Sequence, residues 1–221
     1  MIGDEKYGIN DGFPKTKIVG KRVLANLNLL LNSDSNHGIE GLDFKKNGDS
    51  TIAALLFEGY QGNINPCLYF FEVGQEPQQI VGLSIPSNEF QTETIRATSV
   101  RFVPDNGPAT RAELLVMVQD TSDFSQKWIA KFDVRLSGAS PSIQMAGAPV
   151  PLSEMMDAQD VVRNWEGMAW TSDAGHLMLV NDNASGNHLL HTATAVSDLN
   201  QQQKSRNETL IIRCVWPPVQ E

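Results

Sequence analysis

Apolar and polar residues alternate over short stretches along most of the chain, and Gly, Pro, Asn and Asp separate these stretches. This period-2 pattern predicts β-strands, because successive side chains of a strand point to opposite faces of its sheet. The separators, such as KKNGD, VPDNG and TSDAG, are typical of tight turns. The predicted strands are Lys17–Val23, Gly41–Phe44, Thr51–Phe57, Cys67–Val73, Gln79–Ile85, Ser99–Val103, Glu113–Gln119, Lys127–Val134, Gly167–Trp170, His176–Val180 and Thr209–Val215.

Helical signals are few. Pro151–Val162 is compatible with one or two helical turns, and Ser197–Lys204 with a polar helix or a loop. The 221 residues suit one domain, or slightly more. We therefore predict an all-β protein with a single domain over residues 1–221.

Three segments of the sequence align on an aromatic residue: Phe44, Phe102 and Trp170, spaced by 58 and 68 residues. Each segment has a short strand, a Gly/Asp/Asn turn and a longer apolar strand, and two of the three continue into two further strands. Four antiparallel strands per repeat are typical of a β-propeller blade. A β-sandwich also has short strands, but it gives no reason for this repetition. We predict a β-propeller, or a partial propeller of about three four-stranded blades, with the three aromatic residues buried between sheets.

The predicted number of blades is too small for a closed ring, since propellers close with ~4–8 blades. An open arrangement leaves strand edges that natural proteins cover or pair. We therefore expect a protein partner or self-association to complete the propeller. Two copies in a six-bladed ring, another polypeptide, or a further part of a larger propeller would each supply the remaining blades.

Composition and charge narrow the class of protein. Lys and Arg number 17 against 26 Asp and Glu, for a net charge of −9, and no basic cluster is present. Nucleic-acid binding is not expected, because it requires a basic surface that displaces counterions. No apolar stretch approaches the ~20 residues of a membrane-spanning helix, so no transmembrane segment is predicted. The opening MIGDEKYGIND shows no targeting signal.

The two cysteines, Cys67 and Cys214, both lie in apolar strand-like contexts. Two thiols so far apart in the sequence cannot form a disulfide framework or a zinc site by themselves. We predict buried free thiols.

Two of the repeats begin with a Glu-Gly pair: Glu40–Gly41 in NHGIEGLDF and Glu166–Gly167 in NWEGMAW. The second is followed by LMLVNDNASG, which contains Asp182–Asn183. This pattern, over about residues 36–195, resembles the phytase-like domain family, also called "esterase-like activity of phytase". His37 stands where that family tends to have Arg. The resemblance implies a β-propeller, esterase-like or phytase-like chemistry, and an extracytoplasmic or organellar location.

The chemistry of these positions has two interpretations. On the innermost strands of two blades, Glu40 and Glu166 would direct their carboxylates toward a common axis, and Asp182 and Asn183 end the strand next to Glu166. Carboxylate and amide oxygens suit Ca²⁺, so these four residues are candidate calcium ligands. Alternatively, each Glu accepts hydrogen bonds from backbone N–H groups of the adjoining blade, and Asp182–Asn183 forms a turn.

Two functions follow from these interpretations. The first is a non-catalytic β-propeller module that acts as a scaffold or protein-binding subunit of a larger assembly. The second is a calcium-dependent phosphoester or ester hydrolase of phytase-like type. The chain lacks a G-x-S-x-G elbow, a P-loop and G-x-G-x-x-G, and no catalytic residue is nominated. For that reason we favour the module.

Overall fold

The computed structural model describes residues within the second of the two units into which the chain divides, Ser33–Glu221. The predicted strand Lys17–Val23 and the segment Ser197–Lys204 lie outside the described residues. The described residues are 38–58, 65–73, 81–90, 92, 95–104, 111–123, 125–136, 141–161, 164–172, 175–181 and 211–216.

The described residues form three antiparallel sheets, and each sheet follows chain order. This confirms the all-β prediction: every predicted strand within the described ranges overlaps an observed one. No closed barrel or propeller is detected among these strands. Sheet 1 contains β1 (Ile39–Asn47), β2 (Ser50–Phe57), β3 (Cys67–Glu72) and β4 (Val81–Ser84); sheet 2 contains β5 (Ile95–Phe102), β6 (Arg111–Asp120), β7 (Lys127–Arg135), β8 (Ser142–Met145) and β9 (Val150–Pro151), which pairs with β7; sheet 3 contains β10 (Trp165–Trp170), β11 (His176–Asn181) and β12 (Ile211–Val215).

Short helices connect some of these strands. A 3₁₀-helix spans Ser87–Phe90, a second spans Leu152–Glu154, and a one-turn α-helix spans Ala158–Val161. Pro151 precedes the second with φ −63°, the angle to which its ring restricts the backbone. The helical turns predicted within Pro151–Val162 are confirmed.

The first strand of each sheet carries one extra residue, a β-bulge, near its start. The register shifts between Ile39 and Gly41, between Ala97 and Ser99, and between Trp165 and Gly167, so the bulge residues are Glu40, Thr98 and Glu166. Such a β-bulge bends a strand and turns its side chains. Four residues after each bulge stand Phe44, Phe102 and Trp170. The alignment of the three repeats therefore agrees with the register of the strands.

Sheet 2 packs between the other two sheets, and the alternation along β6 shows how. Leu114 and Val116 are buried in a cluster with sheet 1, whereas Leu115 and Met117 are buried in a cluster with sheet 3. All four are at most 1% exposed. A strand buried on both faces has no polar alternation, and ELLVMV in β6 fits this pattern.

The burial of the three aromatic residues differs from the prediction. Phe102 is 5% exposed and belongs to the cluster between sheets 1 and 2. Trp170 is half-buried, and its Nε1–H donates to the carbonyl oxygen of Phe102 at 2.8 Å. Phe44 is 52% exposed, so the prediction is wrong there. The reason is that sheets 1 and 2 cover the inner sides of Phe102 and Trp170, whereas no described sheet precedes sheet 1.

Both cysteines are free thiols, as expected, but only Cys214 is fully buried and Cys67 is half-buried. Burial raises the pKa of the Cys214 thiol to about 11 and also raises that of Cys67. Neither thiol is therefore activated as a nucleophile. No helix of the described residues is long and apolar enough to cross a membrane.

Candidate functional site

A cluster of polar side chains lies where β2 ends and where β5 and β10 begin. The N–H of Ala97 donates to the carbonyl oxygen of Glu58 at 2.9 Å, which joins the end of β2 to the start of β5. The buried hydroxyl of Thr98 donates to the carbonyl oxygen of Trp165 at 2.9 Å, which joins β5 to β10. Because Thr98 is the bulge residue of its strand, the bulge turns this hydroxyl toward the neighbouring sheet.

Arg96 is the centre of this cluster. Its guanidinium forms ion pairs with Glu58 Oε1 at 3.2 Å and Glu166 Oε1 at 3.5 Å. It also donates from Nη2 to Asn164 Oδ1 at 3.1 Å, and Asn164 Nδ2 donates to Glu166 Oε1 at 2.6 Å. With its amide oxygen turned to the guanidinium, Gln119 accepts from Nη2 at 3.1 Å and from Nε. One arginine side chain therefore links residues of all three sheets.

Glu58 has an electrostatic environment that is unusual for a carboxylate. Its side chain is 5% exposed, and its pKa is raised to about 7. Burial is the largest cause, since it disfavours the charged form. Arg96 lowers the pKa, whereas the carboxylates of Glu40 and Glu166 raise it. The two glutamates of the Glu-Gly pairs thus act on one buried carboxyl between them.

Lys127 is the second shifted group near Arg96. It is 2% exposed, and its Nζ donates to the carbonyl oxygen of Val161 at 3.0 Å. Burial, followed by the charge of Arg96, lowers the pKa of Lys127 to about 7, and Asp123 opposes this shift. The cluster thus holds a carboxyl and an amine that both titrate near neutral pH.

The predicted site residues lie in different positions. Glu40 is exposed in the bulge of β1, whereas Glu166 is half-buried in the bulge of β10 and contacts Arg96 and Asn164. Asp182 and Asn183 lie outside the described residues. Among the residues that the structure describes, no three His, Cys, Asp or Glu side chains form a group that could hold a metal ion. The four-residue calcium site therefore stays a prediction.

Sequence reasoning missed Glu58, Arg96, Gln119 and Lys127. For Glu58 a signal existed: it follows the last residue of β2 as Asp182 follows the last residue of β11, and Phe57 and Asn181 hold the same register position beside their bulges. For Arg96 no local signal existed, since an arginine at the start of a strand is usually solvated. Its role depends on sheets 1 and 3, which come together only in the fold.

The cluster around Arg96 is a set of charge-assisted hydrogen bonds that are largely shielded from solvent. Such bonds are stronger than neutral ones, and a low local dielectric strengthens them further. Arg96 supplies a positive charge that both Glu58 and Glu166 contact. The cluster is therefore suited to join sheets. Glu166 takes part through the side chains of Arg96 and Asn164, whereas the stapling interpretation expected backbone N–H donors, so that interpretation stays a prediction for the two Glu-Gly pairs.

Comparisons with protein-family models, with curated proteins and with solved structures found no match to this chain. The resemblance to the phytase-like domain family stays a prediction that rests on the two Glu-Gly strands and the VNDN segment.

Proposed function

We propose that the three sheets are consecutive blades of a β-propeller and that the chain is a non-catalytic module, a scaffold or protein-binding subunit of a larger assembly. The order of the strands supports this proposal, because each sheet is a meander whose first strand packs against the first strand of the next sheet. Radially repeated meanders of this kind are the units of a propeller. The matching bulges at Glu40, Thr98 and Glu166 support a common blade structure.

One observation carries the proposal of a partner-binding role: β1 exposes apolar side chains at positions that are buried in sheet 2. Ile39, Leu42 and Phe44, which we call the front stripe, are 40%, 44% and 52% exposed. Their register equivalents in β5 are Ala97, Val100 and Phe102, all at most 5% exposed. Leu55 and Phe57 of β2, which pair with Leu42 and Ile39, are buried, so the strong exposure in this pair of strands lies on β1.

The opposite end of the series has a second exposed apolar surface. Met178, Ile211 and Val215, which we call the rear patch, are 37%, 60% and 48% exposed on β11 and β12. Their strand neighbours Leu177 and Leu179 are fully buried against sheet 2. An exposed apolar patch on an otherwise polar surface is typical of an interaction site. The chain therefore offers an interface at each end of the sheet series.

Arg96 supports a structural role for the carboxylates over a catalytic one. The guanidinium supplies a positive charge beside both Glu58 and Glu166. Both carboxylates contact it at 3.5 Å or less. The network also lacks a described nucleophile, since the pKa of each thiol is raised and Lys127 is fully buried.

Side-chain labelling tests the proposed module. In dilute solution, hydroxyl-radical footprinting of the wild-type chain should label Phe44 and Met178 strongly and Phe102 weakly. Protection of both Phe44 and Met178 in a lone chain would show that neither end offers an interface, and would overturn the proposal. Phe90, which is 3% exposed in the core, is a matched aromatic control for a buried residue.

A calcium titration followed by thermal unfolding separates the module from the calcium-dependent hydrolase. A binding ion stabilises the folded state in proportion to RT ln(1 + [L]/Kd). The module predicts an unchanged unfolding temperature, and magnesium serves as the matched control ion. A calcium-specific rise that is lost in Glu166→Gln would favour the hydrolase.

A further inference from the structure

We infer that the partner of both exposed surfaces is a second copy of this chain, with the front stripe of each copy packed on sheet 3 of the other. The result would be a ring of six sheets around a two-fold axis. This inference rests on the proposed function and names its partner. The contact between sheets 1 and 2 serves as a template for the proposed contact between the two copies.

The contact between sheets 1 and 2 depends on a close approach between their first strands, β1 and β5. A Cβ atom added to Gly41 would lie 2.9 Å from Val100 Cγ1 and 3.2 Å from the Val100 backbone nitrogen. Val100 therefore occupies the space that a side chain at position 41 would fill. Glycine in a strand commonly marks such a close backbone approach.

Sheet 3 has a glycine, Gly167, at the register position of Gly41, but no described side chain of another sheet fills the space above it. Gly167 pairs with Val180 next to its bulge, as Gly41 pairs with Leu56. A Cβ atom added to Gly167 would contact only Val180 of its own sheet, at 3.2 Å, among the residues that the structure describes. The space that Val100 fills above Gly41 is therefore not filled by a described residue above Gly167.

The front stripe carries the residue that fits this space. In β1 the residue after the bulge is Gly41 and the next is Leu42; in β5 the residue after the bulge is Ser99 and the next is Val100. Leu42 therefore holds the register position of Val100. In the proposed pair, Leu42 of one copy lies over Gly167 of the other, and Phe44 packs toward Met178. One chain thus holds both halves of the contact, which is the condition for self-association through unlike surfaces.

A two-fold axis allows this contact to form twice. Three sheets from each copy give a ring within the ~4–8 blades that close a propeller. Once the first contact has formed, the second is effectively intramolecular, which strengthens the pair. The net charge of −9 per chain opposes association, so we expect moderate salt to favour the pair by screening this repulsion.

Native mass spectrometry and sedimentation of the full chain test the inference. We expect a species of twice the 24.3 kDa chain mass that dissociates on dilution. Leu42→Asp or Met178→Asp should each raise the dissociation constant of the pair by about 100-fold, because a charge would be placed in an apolar contact. Ser153→Asp, at an exposed position away from both surfaces, is the matched control and should leave the pair intact.

Mixing the two variants distinguishes front-to-rear packing from other dimers. Leu42→Asp retains its rear patch and Met178→Asp retains its front stripe, so their mixture can form one unaltered contact and should form mixed pairs. Phe44→Asp with Ile211→Asp repeats the test at two other exposed positions in case a first variant misfolds. A wild-type dimer without mixed pairs would overturn the front-to-rear arrangement.

A wild-type chain that stays monomeric at every concentration would overturn the second copy as partner. The proposed function fails separately, when Phe44 and Met178 are both protected from labelling in that monomer. If instead they are labelled, the module stands and its partner is a different protein.

Discussion

Phe102 and Phe44 hold the same position in two successive sheets, yet one is 5% exposed and the other 52%. Both stand four residues after a bulge in the first strand of their sheet. Phe102 is covered by sheet 1, its N–H donates to Asp43 Oδ2 at 2.7 Å, and its carbonyl oxygen accepts from Trp170. The same local sequence thus gives a core residue inside the series and a surface residue at its end.

The comparison shows that the burial of a repeated position depends on the sheet beside it more than on the local sequence. Repeat proteins gain stability from the contacts between units, and their end units differ because one of their faces lacks a neighbour. Sheets 1 and 3, the outer two of the described sheets, keep exposed apolar residues instead of polar ones. Measurements of stability can therefore contrast an interior contact with a matched position at the surface.

The largest effect is expected for Arg96→Met. The change would leave Glu58 buried beside Glu166 without its counter-charge, which would raise the pKa of Glu58 further, and breaking a buried ion pair from one side costs about 3–5 kcal/mol. Urea unfolding at pH 8 should show this loss, and at pH 5 the loss should be smaller because Glu58 is then protonated. Arg135→Met, at an exposed position of β7, should change the free energy of unfolding by less than about 0.5 kcal/mol. A similar loss in both variants would contradict the role of Arg96 between the sheets.

The pH dependence of stability should have a minimum near pH 7. In the folded state the pKa of Glu58 is about 7, above its ordinary value of 4.5. Between these two pH values the folded state binds more protons than the unfolded state, so the protein loses stability as the pH rises from 4.5 to 7. The folded pKa of Lys127, about 7, is below its ordinary 10.5, so stability returns as the pH rises from 7 to 10.5. These shifts correspond to roughly 3 kcal/mol between pH 4.5 and 7 and to roughly 5 kcal/mol between pH 7 and 10.5.

Two variants show which residue causes the acid limb and which the alkaline limb of the pH dependence of stability. Glu58→Gln should flatten the acid limb of the free energy of unfolding, and Lys127→Met should flatten the alkaline limb. Denaturant unfolding at several pH values gives both slopes. A wild-type curve without a minimum near neutral pH would contradict the buried positions of these two groups.

A smaller effect separates the two glycines. Gly41→Ala should lower the free energy of unfolding by about 1–3 kcal/mol, because the new methyl group would overlap Val100 in a filled contact. Gly167→Ala should cost less than about 1 kcal/mol in the dilute chain, since only Val180 must shift. Equal costs would show that the close approach at Gly41 does not distinguish the interior contact from the end sheet.

The sequence was sufficient to predict the strands and the repeat, because both depend on local patterns. Short apolar stretches bounded by turn residues identified β2, β6 and β7, and the aromatic alignment placed Phe44 and Phe102 at one register position. Burial could not be predicted in the same way, since it depends on which sheet lies beside each residue. Arg96 escaped prediction for the same reason: Glu58 and Glu166, its ion-pair partners, are 38 and 70 residues away along the chain.

Phe44 and Phe102 hold equivalent register positions, and only Phe102 is covered by a neighbouring described sheet. The free energy of unfolding of Phe102→Ala and Phe44→Ala, measured with urea at concentrations where the chain is monomeric, tests this difference. We expect a loss of about 3–5 kcal/mol for Phe102→Ala and less than about 1 kcal/mol for Phe44→Ala. Equal losses at the two positions would show that the neighbouring sheet does not distinguish them.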